Sequence, residues 1–171
     1  MENTVISEVI SLIEKIDAGD YENLYRLLKK AGKVFVAGAG RSGLIGRTFA
    51  MRLRHLGIES YAVGETICPP VRKGDLLLAI SCSGNKKTLL ELVKISRKAG
   101  AVSLCITSGK SDVLARLCNH KVIIPAGRSA QFGNSLFEQG AFLFLETFVE
   151  YYRRKKKITT AEMAKRHANL E

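Results

Sequence analysis

Two glycine- and serine-rich turns, GAGRSG at residues 38–43 and SCSGNKKT at 81–88, each follow a short apolar run, KVFVA and DLLLAI respectively. In such turns Gly40 and Gly84 let the backbone bend tightly, while Ser42, Ser81 and Ser83 offer hydroxyl donors. The first amides of the following helix then face whatever the turn holds. The chemistry this serves is oxyanion binding, of a phosphate above all. Arg41 adds a charge beside the ligand, and Lys86, Lys87 and Thr88 fall in the first turn of the next helix. Cations there oppose the helix dipole unless an anion is near. Ser81 and Ser83 alternate about Cys82, so both hydroxyls are expected to project toward one site if the segment stays extended. Cys82 reads as a nucleophile or, preferably, as a small buried spacer. Two such turns on parallel strands imply one phosphorylated small molecule held between them.

GAGRSG also satisfies G-x-G-x-x-G, and Glu65 lies just beyond SYAVG, where a dinucleotide site needs an acid for the ribose hydroxyls. Two helices ahead of the sheet and a serine-rich second turn count against a dinucleotide. A plain tight turn is the remaining alternative.

The elements that must position these turns follow from hydrophobic periodicity. Val5, Ile6, Val9, Ile10, Leu12, Ile13 and Ile16 recur at helical spacing; Asp20 is expected to cap a second helix with Leu24, Leu27 and Leu28 inward and Gly32 at its end. Short apolar strands are predicted at 33–37, 59–63, 75–80, 101–106 and 121–124, with helices at about 42–56, 88–99, 112–118, 134–153 and 159–168. Gly57, Gly74 and Gly100 stand where helix-to-strand turns are expected. Alternating strands and helices predict an α/β fold: a parallel sheet flanked by helices on both faces, a three-layer αβα, Rossmann-like arrangement. Ligands of such sheets bind at the carboxyl ends of the strands, where both glycine turns lie. The whole chain, 1–171, reads as a single domain with helices 1–32 and about 159–168 as extensions.

The charge balance is +11, much of it in Arg153-Arg154-Lys155-Lys156-Lys157 at a helix end. With no recognised nucleic-acid module beside it, the run is read as a solvated helix C-terminus whose cations suit the dipole, and no nucleic-acid partner is expected. No apolar run reaches the length of a membrane span, so no membrane partner is expected either. Acidic residues in MENTVISEVISLIEKI stand where a signal peptide would be basic, which predicts a cytoplasmic protein. Four scattered cysteines, with no Cys-x-x-Cys pair, are expected as reduced thiols, neither disulfides nor a metal site. His55, at a helix end, and His120, before a strand, are expected to be structural.

Taken together, GAGRSG, VGET at 63–66, ISCSG at 80–84, QFGNSLFEQ at 131–139 and the terminal RHANLE at 166–171 resemble the sugar-isomerase (SIS) domain family, in its 6-phospho-3-hexuloisomerase branch. The resemblance implies a five-stranded parallel sheet and a homotetramer, in which the C-terminal helix can reach a neighbouring site. It also implies an isomerase interconverting 3-hexulose 6-phosphate and fructose 6-phosphate, in the ribulose monophosphate route of formaldehyde assimilation. Carried over by position, it assigns Ser42, Ser81 and Ser83 to the phosphate, Glu138 as base and His167 as assisting acid. Glu65 and Thr66, after the second strand, are expected either to line the sugar pocket or to form an ordinary turn before Pro69-Pro70, and Gln131 is expected among the substrate- or phosphate-binding residues. Two segments depart from the pattern. Ser83-Gly84-Asn85-Lys86 stands for Ser-Gly-Glu-Thr, leaving Lys86 or Thr88 to replace the missing threonine, and Phe132-Gly133-Asn134 stands for Pro-x-Gly.

The implied reaction needs a base to move the C2 proton to C3 and an acid to shuttle protons between two oxygens of an enediol(ate), with no metal or organic cofactor. Glu138 suits the base; otherwise it is one more polar residue of a helix that also carries Glu146 and Glu150. Another phosphosugar isomerase, such as one for arabinose 5-phosphate, a non-catalytic phosphosugar sensor, and a nucleic-acid binder using residues 153–157 are the alternatives.

Overall fold

The computed structural model describes residues 4–109 and 112–170. Helices α1 (Thr4–Ile13) and α2 (Gly19–Lys30) precede strand β1 (Val34–Gly38), helix α3 (Arg41–His55), strands β2 (Ser60–Ala62) and β3 (Leu76–Ile80) and helix α4 (Lys87–Lys98). Strand β4 (Val102–Thr107), helix α5 (Val113–Leu117), strand β5 (His120–Ile123) and helices α6 (Ser135–Lys155) and α7 (Thr160–Ala164) follow. The strands form one parallel sheet in the order β2-β1-β3-β4-β5.

Because strand side chains alternate, one stretch of sequence feeds two cores. Val34, Val36, Leu76, Leu78, Ile80, Leu104 and Ile106 pack toward α1, α2, α3 and α6, where Leu12, Leu24, Phe49, Phe144 and Phe148 meet them. Phe35, Ala37, Leu77, Ala79 and Cys105 face the other way, against Leu89 and Val93 of α4 and Leu114 of α5. Strands buried on both faces are what the unbroken apolar runs VFVA and LLLAI require. Each fully buried Leu or Phe in such a sheet contributes roughly 1.5–3 kcal/mol relative to exposure. The register is tied at the strand starts by Asp75, which is buried and accepts from the Lys33 amide at 2.9 Å and the Arg72 amide at 2.7 Å.

Four local expectations are corrected. Asp20 does not cap α2: the N-cap is Ala18, and Asp17 accepts from the Gly19 amide at 2.8 Å. Gly74 closes a turn at the end of the irregular segment 63–75, since no helix joins β2 to β3. Its positive φ of 90° suits the turn that hands Gly74 O to the Gly32 amide. Helix α1 ends at Ile13, short of Ile16, and of its apolar residues only Leu12 is fully buried. The last helix is five residues long, not ten: the Thr159–Glu162 capping box starts it, and Met163 is its last residue packed against the core.

The basic run is largely taken up inside the chain. Arg153 and Arg154 both pair with Glu150, at 2.7 and 2.6 Å, and Lys155 reaches Glu22 on α2 and lies over the Tyr25 ring. The Lys155 ammonium, with the Tyr151 hydroxyl, holds the Glu22 carboxyl down from its ordinary 4.5 to about 2. A folded-state value below the unfolded one stabilises at pH above the unfolded value, and the gain is lost as pH falls through the folded value. Wild type should therefore melt above Glu22→Gln at neutral pH, and the gap should close between pH 4.5 and about 2. Thermal melts of both proteins across that range decide it; a gap independent of pH would remove Lys155 from the α2–α6 joint.

Candidate functional site

Between β1 and β3 the connections leave the sheet in opposite directions, to β2 on one side and β4 on the other. This is the switch point, and the turns that follow both strands border it. In the first turn Gly40 has φ +57°, and a Cβ on Gly38 would stand 2.7 Å from the Ser42 carbonyl oxygen and 2.8 Å from the Gly43 amide. Only glycine permits that approach. Ser42 is buried under the turn, while Arg41 is exposed.

The second turn is bound more tightly. Gly84, at φ +61°, donates its amide to Ser81 Oγ at 3.1 Å and accepts from the Leu114 amide at 3.0 Å. The two serines expected to act together are thereby separated. Ser81 is buried and holds the bend, because the buried Gly84 amide needs an acceptor; Ser83 is exposed at the tip. From β4, Ser108 Oγ and Thr107 Oγ1 donate to the Cys82 carbonyl at 2.7 and 3.3 Å. Thr107 also meets Asp112, which caps α5 by accepting from the Ala115 amide at 2.7 Å. Burial pushes the Cys82 thiol above its ordinary value, so it stays protonated and fills space as a spacer.

Helices α3, α4 and α6 all begin without a side-chain cap, at Gly40, Lys86 and Asn134, whereas Asp112 caps α5 and Thr159 caps α7. Uncapped first-turn amides are what an anion would complete. Neither α3 nor α4 has an acidic residue in its first turn, and Lys86, Lys87 and Thr88 are exposed at the start of α4.

Glu138, in the first turn of α6, is brought against the first glycine turn. Its Oε2 lies 2.8 Å from Arg41 Nε, and the carboxylate side chain is only 11% exposed. The contact is an ion pair without hydrogen-bond alignment, leaving Oε2 buried and short of a partner. Arg41 also donates from Nη1 to Ser135 Oγ at 2.9 Å, and Ser135 donates to the Phe132 carbonyl at 2.7 Å.

The loop leading into α6 is clamped to α1 by a residue that periodicity did not single out. Glu8 accepts from Ser129 Oγ at 2.7 Å, the Ala130 amide at 2.8 Å and Gln131 Nε2 at 3.0 Å. Those bonds, the Ala130 amide first, hold the Glu8 carboxyl below its ordinary range. Gln131 Oε1 accepts from Gln139 at 2.9 Å, so both ends of the Gln131 amide are engaged within the chain. Glu65 pairs with Arg47 on α3 at 3.1 Å, and Thr66 is exposed beside it.

His167 is not brought to Glu138 within one chain. It stacks on the buried His55, with ring centroids 5.0 Å apart, while Arg166 donates to the His55 carbonyl at 3.1 Å. His55 ends α3 and Arg41 begins it, so about 20 Å of helix, at 1.5 Å per residue, separates this stack from the turns. Of the braces, only Asp112 left a sequence signal, a capping residue directly before the apolar VLARL. Ser108 and Glu8 act across long separations and left none.

Among the described residues no helix is long and apolar enough to cross a membrane. The 2-1-3-4-5 parallel sheet, with glycine turns and uncapped helices at its switch point, defines a doubly wound α/β domain. The chain belongs to the SIS domain family, whose profile matches residues 27–143.

A 3-hexulose-6-phosphate isomerase of Mycobacterium gastri is 38% identical over 98% of this chain and 88% of its own length. One from Methylomonas aminofaciens is 33% identical over 98% of this chain and 96% of its own. The crystal structure of a Methanococcus jannaschii hypothetical protein, from which a function of 3-hexulose-6-phosphate isomerase is inferred, matches with a TM-score of 0.91 at 31% identity. That match covers 99% of this chain and 98% of the other. Within the family, the chain groups with these sugar-phosphate isomerases.

Proposed function

We propose that this protein interconverts 3-hexulose 6-phosphate and fructose 6-phosphate through a 2,3-enediol(ate), with Glu138 as the base. The observation that carries the reading is the placement of one shielded carboxylate, at the start of α6, against the first phosphate turn. The full-length similarity to enzymes of that name supplies the substrate.

Phosphate is held by the amides at the starts of α3 and α4 with the Ser42 and Ser83 hydroxyls, Gly40 and Gly84 admitting it, while Lys86 and Thr88 stand where charge or a hydroxyl can join. Ser81 serves by shaping the turn. Glu65 and Thr66, beside the first turn, line the sugar end. Glu138 takes the proton from C2 of the 3-ketose; the C2–H electron pair forms the C2=C3 bond and the C3 carbonyl becomes an enolate. Proton return to C3, with transfer from the C2 hydroxyl to the C3 oxygen, gives the 2-ketose. No atom is gained or lost, and the electron pairs rearrange within the sugar. His167 of a neighbouring copy assists the proton transfer between the two oxygens, its own α3 keeping it from its own Glu138.

The test is conversion of 3-hexulose 6-phosphate, read by coupled detection of fructose 6-phosphate. In D2O the product should carry deuterium at C3. Binding of fructose 6-phosphate without turnover of the 3-ketose would instead identify a sensor or a different isomerase.

A further inference from the structure

We propose that Arg41 is a positioning residue for the base and not a ligand of the phosphate. Resting on the assignment of Glu138 above, this inference assigns Arg41 the coupling of the phosphate turn to the carboxylate. Arg41 is the first residue of α3 and follows Gly40 in the first turn, where a phosphate-binding cation would be expected. Its guanidinium nevertheless points to α6. Nε meets Glu138 Oε2 at 2.8 Å and Nη1 donates to Ser135 Oγ at 2.9 Å, so two arms of the fork grip two residues of one helical turn. Arginine's planar fork has the geometry for such a double contact; an ammonium has not.

The grip continues outward. Ser135 holds the Phe132 carbonyl, and three residues before Phe132 the loop is fastened to Glu8 of α1. Glu138 is therefore held from its substrate side by the phosphate turn and from behind by a fixed loop. Oε2 is the carboxylate oxygen that Arg41 holds, and it is buried. A phosphate that settles residues 40–42 thereby settles Arg41, and with it the carboxylate. In this arrangement the binding energy of the remote phosphate is expressed as orientation of the base.

The experiment compares wild type, Arg41→Ala and Arg41→Lys for kcat and KM, and for fructose 6-phosphate affinity by calorimetry, with melting temperatures to confirm folding. A positioning role predicts that Arg41→Ala loses about 100-fold or more in kcat, the scale of a misplaced reacting group. Its affinity should change by less than about threefold, and Arg41→Lys should recover about tenfold of the lost kcat by pairing with Glu138 alone. A fall in affinity with kcat preserved would make Arg41 a phosphate ligand and overturn the proposal, as would near wild-type values for both.

The substrate is whichever phosphosugar the wild type isomerises, so wild-type failure on 3-hexulose 6-phosphate counts against the substrate and not against Arg41. A second readout needs no turnover: the Nε–H resonance of Arg41 in arginine-labelled protein should move in Glu138→Ala, and an unmoved signal would remove the pair.

Discussion

Glu138→Gln should lower kcat by about 1,000-fold or more, within the range that removal of a positioned general base produces, while fructose 6-phosphate binding stays within about threefold of wild type. The substitution keeps size and keeps an acceptor oxygen for Arg41, so the 2.8 Å contact that fixes the side chain has a replacement. What it removes is the capacity to take a proton. The proposed phosphate contacts lie on α3 and α4, and Glu138 meets α3 through Arg41, so ground-state affinity has little reason to change. Deuterium incorporation at C3 of the product should vanish with turnover. Retention of near wild-type kcat would sink the assignment of the base, whatever the substrate. The inactive chain also tests His167: mixed with His167→Asn chains, it should regain activity if a histidine of one copy serves the carboxylate of another. Full activity of His167→Asn alone would leave the histidine structural, as its stack on His55 already makes it within the chain.

The layers and the turns were legible in the sequence because they rest on local physics. Unbroken apolar runs such as LLLAI have no stable place except a doubly covered parallel sheet, and GAGRSG and SCSGNKKT announce turns through residue type alone. Element ends were less legible. Asp20 looked like a cap because its chemistry fits, yet Asp17 reaches the free amide first, and α7 stops where its apolar partners stop. The largest omissions are pairings across the chain. Arg41 and Glu138 lie 97 positions apart, and Glu8 grips a loop some 121 to 123 residues away. No periodicity encodes such contacts, so the bonds of Arg41 to Ser135 and of Gln131 to Glu8 and Gln139 appear only in the fold. Residue type located the turns; only folding showed which of their groups are engaged within the chain.

That distinction gives Gly84 a larger predicted effect than any hydroxyl of the turn. Gly84→Ala meets two independent penalties. Its φ of +61° disfavours a side chain by about 1–2 kcal/mol, and the added Cβ would fall on the Asp112 carboxylate. An unfixed Asp would swing aside, but this one caps α5 through the Ala115 amide and holds Thr107, so yielding gives up both contacts. Loss of that cap adds about 1 kcal/mol. Retreat of Gly84 itself would break its bonds to Ser81 Oγ and the Leu114 amide, which keep Ser83 and the start of α4 facing the switch point. Either way the cradle opens. We expect Gly84→Ala to lower stability by about 2–4 kcal/mol. Phosphosugar affinity should weaken at least about tenfold, with kcat at saturation falling less than KM rises, because the base on α6 is untouched. Denaturant melts and steady-state kinetics on the folded fraction separate the two effects. Ser83→Ala, which removes one exposed donor without bending the chain, should weaken binding less; if it proves the more damaging of the two, affinity resides in the hydroxyl and not in the amides that Gly84 aligns.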